Sequence, residues 1–155
     1  MNMSVSYSYQ YATTSLENAT GYNGTFTTEG NLPFWGAQGA WGNSNQNTAA
    51  SGSIDDDETS SFSTTVTCMT EVSFNWKVSS QATYDFLKVY VNGSLERQIS
   101  GETDWATVTL PLDRGTNTIK WEYAKDAYVS EYLDRGFVDD ISFNSNEQIY
   151  AGSID

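Results

Sequence analysis

Apolar and polar residues alternate without a break along Val72-Ser73-Phe74-Asn75-Trp76-Lys77-Val78, and residues 87–91, 106–110, 119–123 and 137–143 repeat the rhythm. A period of two belongs to strands with one dry face and one wet face. Turn-forming residues separate the runs at Asn92-Gly93, Ser100-Gly101 and Asp113-Arg114-Gly115. Alternation over residues 4–11 predicts a first strand, Thr25-Phe26-Thr27 a short one, and residues 48–54 another. Residues 60–68 and 71–78 read as a hairpin, and residues 84–91, 95–99, 105–112, 116–123 and 136–143 complete the set. The pattern predicts nine to eleven strands and no helix, which is an all-β, antiparallel β-sandwich. Residues 12–24 read as polar and turn-rich, 30–47 as a long loop and 127–135 as a tight loop or single turn. Residues 1–3 read as a terminal extension, and 144–155 as an edge strand or tail.

Even–odd counting also assigns faces. Val72, Phe74, Trp76 and Val78 point inward, leaving Ser73, Asn75 and Lys77 outside; Leu87, Val89 and Val91 point inward, leaving Phe86, Lys88 and Tyr90 outside. Ala106, Val108, Leu110 and Leu112 are inward opposite Trp105, Thr107 and Thr109, and Ile119, Trp121 and Tyr123 are inward opposite Lys120 and Glu122.

At 155 residues the chain fits one domain, and five Trp, ten Tyr and seven Phe are ample for its core. Twenty acidic against seven basic side chains give a net charge of −13. That field repels phosphates and anionic headgroups, which argues against nucleic acid or a membrane surface as partner. It suits calcium, neutral sugars or basic partners, or serves solubility alone. Histidine is absent, so Ser-His-Asp and Cys-His triads are excluded. The single cysteine, Cys68, forms no internal disulfide and reads as a small apolar filler. No apolar stretch approaches the ~20 residues that span a bilayer, and Met1-Asn2-Met3-Ser4 lacks a basic start and an apolar block. Either the chain is cytoplasmic or it is a module of a longer exported protein; a Ser/Thr/Asn/Gly-rich, Lys-poor β-domain is typical of bacterial surface proteins, and the expectation is the second, at the cell surface or outside the cell.

The series SFNWKVSS, YDFLKVYVNG, ISGETDW, LDRGTNTIKWEYAKD and DRGFVDDISF, preceded by AASGSIDDDETSSFSTTV, resembles the MAM-like jelly-roll modules repeated in bacterial secreted and surface proteins. The likeness spans roughly residues 47–143. It implies a jelly-roll sandwich, and it is shared by adhesion domains and calcium-stabilised carbohydrate-binding modules alike, so fold leaves function open.

The outward set Asn75, Lys77, Phe86, Lys88, Tyr90 and Trp105 places aromatic faces beside amide and ammonium donors, the arrangement a sugar ring needs. The same rings suit a protein contact or a cover of the chain's own loop. Trp35 and Trp41, among glycines in FWGAQGAWG, either plug the end of the core or present a stacking surface. Parity sends Asp139 to the face of Phe137, Ile141 and Phe143, and a bare carboxylate against a core is costly unless paired or bound to metal. Calcium would resolve that cost; donors from Arg135, Lys125 or backbone N–H groups are the alternative. The Val-Asp-x-Ile pattern resembles that of calcium-stabilised modules, which implies Glu17 as the second ligand. Asp55-Asp56-Asp57-Glu58 reads as a solvated turn. Asp85, Asp104, Glu122 and Asp126 show no paired spacing for glycoside hydrolysis and read as surface groups. The expected function is non-catalytic carbohydrate binding or adhesion with a structural calcium; the alternative is a structural or protein–protein interaction module with no sugar site.

Overall fold

Two antiparallel sheets face each other in the computed structural model, which describes residues 12–39, 41, 47–127 and 130–145. In chain order the elements are β1 (Ala12–Thr14), α1 (Leu16–Thr20), β2 (Thr27–Gly30), β3 (Trp35–Gln38), β4 (Asn47–Ala50), β5 (Thr59–Thr67), β6 (Met69–Ser79), β7 (Phe86–Val91), β8 (Ser94–Ile99), β9 (Ala106–Pro111), β10 (Thr116–Ala124) and β11 (Arg135–Ser145). One sheet runs β1-β3-β4-β11-β6-β9 and the other β2-β5-β10-β7-β8. Every pairing is antiparallel, as the jelly-roll sandwich requires.

The alternation holds where both sheets meet. Val72, Phe74, Trp76 and Val78 of β6 are buried, as are Leu87 and Val89 of β7 and Ile119, Trp121 and Tyr123 of β10. Trp121 joins the layers: Phe62 of its own sheet stacks on it at 4.9 Å, and Phe74 of the facing sheet meets it edge-on at 5.4 Å. The sheets come so close at Gly136 that a Cβ there would stand 2.7 Å from Leu87 Cδ1, which only glycine avoids. On the edge strand β9 the inward set thins, with Leu110 buried, Val108 half-buried and Ala106 exposed.

Several expectations need correction. Strands β5 and β6 are not a hairpin, because they belong to different sheets. Cys68 turns the corner between them with φ 64° and is exposed, so it fills no apolar space. The long loop contains β3, and the turn-rich segment contains α1, whose N-cap Ser15 accepts the Asn18 N–H at 3.0 Å. The short strand lies two residues later than expected, at β2, and β4 ends at Ala50. The predicted first strand, residues 4–11, and the tail beyond residue 145 lie outside the described residues.

Parity fails outright in β11. Val138 and Ile141 both enter the main core, yet Phe137 lies on the opposite face. A register shift between Asp139 and Ser142, with Asp140 at φ 52°, marks a bulge that inserts a residue and resets the alternation. Asp139 therefore keeps company with Phe137 and not with Ile141 or Phe143.

Because Trp121 touches both layers, its loss opens a large cavity. Trp121→Ala is expected to cost about 3–5 kcal/mol, read as a lower urea midpoint at unchanged slope. A change under about 1 kcal/mol would show that Trp121 does not join the sheets.

Candidate functional site

Strand β11 lies inside its sheet, paired with β4 on one side and β6 on the other, so its outer face is ringed by neighbours. There Phe137, Ala37 and Ala50 are buried beneath Trp35, Trp41 and Trp105. Trp41 meets Phe137 at 5.1 Å and Trp35 edge-on at 6.3 Å, and Trp105 lies 6.5 Å from Phe137. A second small core thus forms on the outside of the six-stranded sheet, and it is roofed by rings that remain partly exposed. Both readings of FWGAQGAWG hold in part: the tryptophans cover apolar surface, and Trp35 also lines a cleft.

That cleft, about 330 Å³, is bounded by Leu32, Pro33, Trp35, Gly52, Ser53 and Arg135. Arg135 donates to Ser51 O at 2.6 Å and Ser53 Oγ at 2.7 Å, while its guanidinium lies 6.0 Å from the Trp35 ring centre and 5.5 Å from that of Trp41. The Trp35 indole N–H is taken by Ser51 O at 3.3 Å. A planar cation and a ring are therefore fixed before any ligand arrives. Lys77 stands opposite Phe137 in the register, and Asn75 opposite Asp139. The Asn75 amide is committed internally: Nδ2 donates to Asp140 Oδ2 at 2.8 Å, and Oδ1 accepts from Thr107 Oγ1.

The sandwich separates the residues that parity had pooled. Trp35, Trp41, Trp105, Asn75 and Lys77 gather on the outer side of the six-stranded sheet, whereas Lys88 and Tyr90 lie on the outer side of the other sheet. There the Tyr90 hydroxyl donates to Glu122 Oε1 at 3.2 Å, and Lys120 lies 5.6 Å from the Tyr90 ring centre. Lys88 and Tyr90 belong to no site with the tryptophans.

Asp139 is buried to 1% exposure, and its Oδ1 accepts the Asp140 N–H at 2.7 Å, one of the expected donor kinds. Glu17 lies on α1, which packs against β3, β4 and β11, and it lines a separate concavity of about 470 Å³ with Ser15, Asn18, Gly21 and Asn23. Among the described residues no three carboxylate or thiol side chains gather as a metal cage.

The strongest charge cluster was missed by the sequence reading. Asp85 is not a surface group: its side chain and that of Lys125 are both fully buried, 3.5 Å apart. Lys125 Nζ also donates to Asp134 Oδ1 at 2.7 Å and to Ser130 Oγ at 2.9 Å, while Tyr123 gives its hydroxyl proton to the same Asp134 oxygen at 2.6 Å. Parity carried two residues further would have found it, since Lys125 follows Ile119, Trp121 and Tyr123 on the inward track, and Asp85 precedes Leu87 on its own. Of the other candidate catalytic carboxylates, Glu122 pairs with Lys120 at 3.5 Å and Asp104 accepts the Trp105 N–H at 2.8 Å.

No protein-family model matches the chain, and no curated protein matches it. Solved structures do. The secreted serine protease VesC from Vibrio cholerae superposes with a TM-score of 0.63 at 16% identity over 91% of this chain, which spans 26% of that protein's chain. The K3 adhesin domain of Lys-gingipain from Porphyromonas gingivalis w83 matches with a TM-score of 0.60 at 10% identity, over 78% of this chain and 91% of that domain. The TmCBM61 module, solved with β-1,4-galactotriose, matches with a TM-score of 0.52 at 15% identity, over 85% and 98%. At such identities the likeness is one of fold.

The buried cluster sets an alkaline limit to stability. Burial, then the bond to Asp134, holds the Tyr123 hydroxyl far above its ordinary 10.0. Burial pulls Lys125 down, but the bond and charge of Asp134 and the charge of Asp85 outweigh it and raise Lys125 above 10.5. Both protons leave the unfolded chain first, so the stability they contribute is complete below about pH 10 and is lost as pH rises beyond it. Tyr123→Phe is expected to make the alkaline fall in unfolding free energy shallower, as measured by urea titration between pH 8 and 11; an identical slope would contradict the assignment. Lys125→Met leaves two carboxylates unpaired and is expected to cost about 3–5 kcal/mol at neutral pH.

Proposed function

We propose that this chain is a non-catalytic carbohydrate-binding module of the MAM-like jelly-roll kind, carried by a larger bacterial protein that acts outside the cell. One observation carries the reading: Trp35, Trp41 and Trp105 converge on one outer sheet face, with a cleft walled by Trp35 and Arg135 at its margin. Apolar ring faces beside fixed hydrogen-bonding groups are what a sugar presents itself to, C–H groups on the ring and hydroxyls at the edge. Lys77 adds an ammonium on the same face. The shared fold with TmCBM61, solved with β-1,4-galactotriose, supports this reading, and the secreted and adhesin relatives in fold support an extracellular setting.

A protein-contact or adhesion role is the second reading. It is favoured by the fold shared with the K3 adhesin domain and by how much of each tryptophan is spent covering Phe137.

A structural calcium belongs to the proposal through Asp139 and Glu17, a buried carboxylate and an acidic side chain on elements in contact. Two carboxylates are fewer than calcium takes, so backbone carbonyls would have to complete the six to eight oxygens.

Affinity electrophoresis in galactan and a panel of neutral and acidic polysaccharides tests the main reading. Retardation by at least one polysaccharide is expected, with affinity reduced roughly tenfold or more in Trp35→Ala and Trp105→Ala, equivalent to about 1.4 kcal/mol. Thermal melts of both variants separate lost binding from lost folding. No retardation on any polysaccharide, or unchanged retardation of both variants, would sink it. For calcium, excess EDTA is expected to lower the Tm of the wild-type chain, with the shift restored by added calcium and absent in Asp139→Asn. An unmoved Tm retires the ion.

A further inference from the structure

Three of the large apolar side chains most exposed among the described residues lie on two loops at one end of the sandwich: Tyr84 at 55%, Tyr132 at 68% and Leu133 at 50%. Tyr84 lies in the β6–β7 loop, and Tyr132 and Leu133 lie in the β10–β11 loop. The two loops are built as one unit. Asp85, next to Tyr84, and Asp134, next to Leu133, bind the same buried ammonium of Lys125. The Leu133 N–H donates to Ser79 Oγ at 3.0 Å, and the Thr83 N–H to Ser100 Oγ at 2.8 Å. Rings held out in water on a braced frame lose little freedom on binding, so what they touch is engaged without an ordering cost.

The charge around them is lopsided. The loops at this end, residues 31–34, 51–58, 80–85, 100–105, 125–127 and 130–134, hold ten of the chain's twenty acidic residues and one basic residue, Lys125, with Arg135 at their border tied to Ser51 and Ser53. That lysine is buried and already shared between two carboxylates. Asp55, Asp56, Asp57, Glu102, Asp104 and Glu131 are exposed and unneutralised by any ion pair within the chain among the described residues. No three of these carboxylates converge as a cage, so the charge is spread over the end as a field and not gathered for a single ion. Exposed tyrosine faces attract cations through the ring quadrupole, and surrounding carboxylates attract them through simple charge. Guanidinium or ammonium groups on apolar stems answer both demands, with the stems lying on Leu133 and the rings.

We propose that this loop end is a docking surface for a cationic polypeptide segment, one that sets arginine or lysine side chains on Tyr84 and Tyr132 within the surrounding acidic field. It adjoins the tryptophan face, whose cleft is walled by Leu32, Pro33, Gly52 and Ser53 of loops at this same end, but Tyr84 and Tyr132 do not line that cleft. A chain with this end can join a basic partner through Tyr84 and Tyr132.

The test uses an octaarginine peptide as probe, with octaglutamate as its counterpart, by titration calorimetry at about 0.15 M salt, where long-range attraction is screened beyond ~8 Å. The wild-type chain is expected to bind octaarginine and not octaglutamate. Tyr84→Ser/Tyr132→Ser keeps the net charge and is expected to weaken binding by at least about fivefold through the loss of two cation–π contacts. Tyr84→Phe/Tyr132→Phe is expected to restore it, and Leu95→Ser, an exposed position on β8, to leave it unchanged. Both tyrosines are exposed, so the melting temperature of the serine variant should match wild type. The proposal is overturned if the wild type does not bind octaarginine, or if the serine variant binds as the wild type does, which would reduce the effect to net charge.

Discussion

An ammonium group with no water around it must find its counter-charges inside the protein, and Lys125 makes that demand at the end of β10. It is met by Asp85 at the start of β7 and Asp134 at the start of β11, which draws strands of both sheets to a single point. Hydrophobic contact between the layers is non-directional and would tolerate many relative placements. The ion cluster tolerates few, because a carboxylate displaced by an ångström or two leaves buried charge uncompensated at a cost of several kcal/mol. The aromatic column through Phe62, Trp121 and Phe74 supplies the driving force, and Lys125 fixes which loops end up side by side.

How far this was legible in the sequence follows from what alternation encodes. Parity reports whether a side chain faces in or out, and it was right for β6, β7 and β10 because those strands are regular and lie inside their sheets. It carries no record of which sheet a strand joins. That is why the corner at Cys68 passed for a hairpin turn, and why Lys88 and Tyr90 were pooled with tryptophans on the far side of the molecule. It also fails at a bulge, since one inserted residue exchanges the faces of everything beyond it. Asp139 sits at such a bulge. The cluster at Lys125 is a different kind of miss: the inward track pointed to it, and only the habit of ending a strand at its last apolar residue hid it.

The fate of Phe137 explains the aromatic face. A strand flanked on both sides within a sheet has its outer face hemmed by neighbours, and β11 carries a large apolar residue there. Left bare, Phe137, Ala37 and Ala50 would form an apolar patch on the surface; Trp35, Trp41 and Trp105 close it. Rings recruited as a cover still show part of one face to water, so a structural need and a binding opportunity arise from the same residues. Arg135 follows the same logic. Its contacts to Ser51 and Ser53 tie the end of β4 to β11, and its position beside two indoles leaves a charged wall on the cleft.

The distribution of charge then gives two adjoining surfaces different partners. A chain at −13 repels anions at long range, and two of its seven basic residues, Lys77 and Arg135, stand on the tryptophan face, where the cleft borders the acidic loops. A neutral polyol, indifferent to net charge, loses nothing by approaching that face and gains from rings and fixed donors. A cationic chain is drawn instead to the end where the carboxylates and Tyr84 and Tyr132 lie. One frame thereby offers two chemistries side by side, and the buried Lys125, by holding the carboxylates of Asp85 and Asp134 on one ammonium, keeps the acidic loops close enough together for their fields to add.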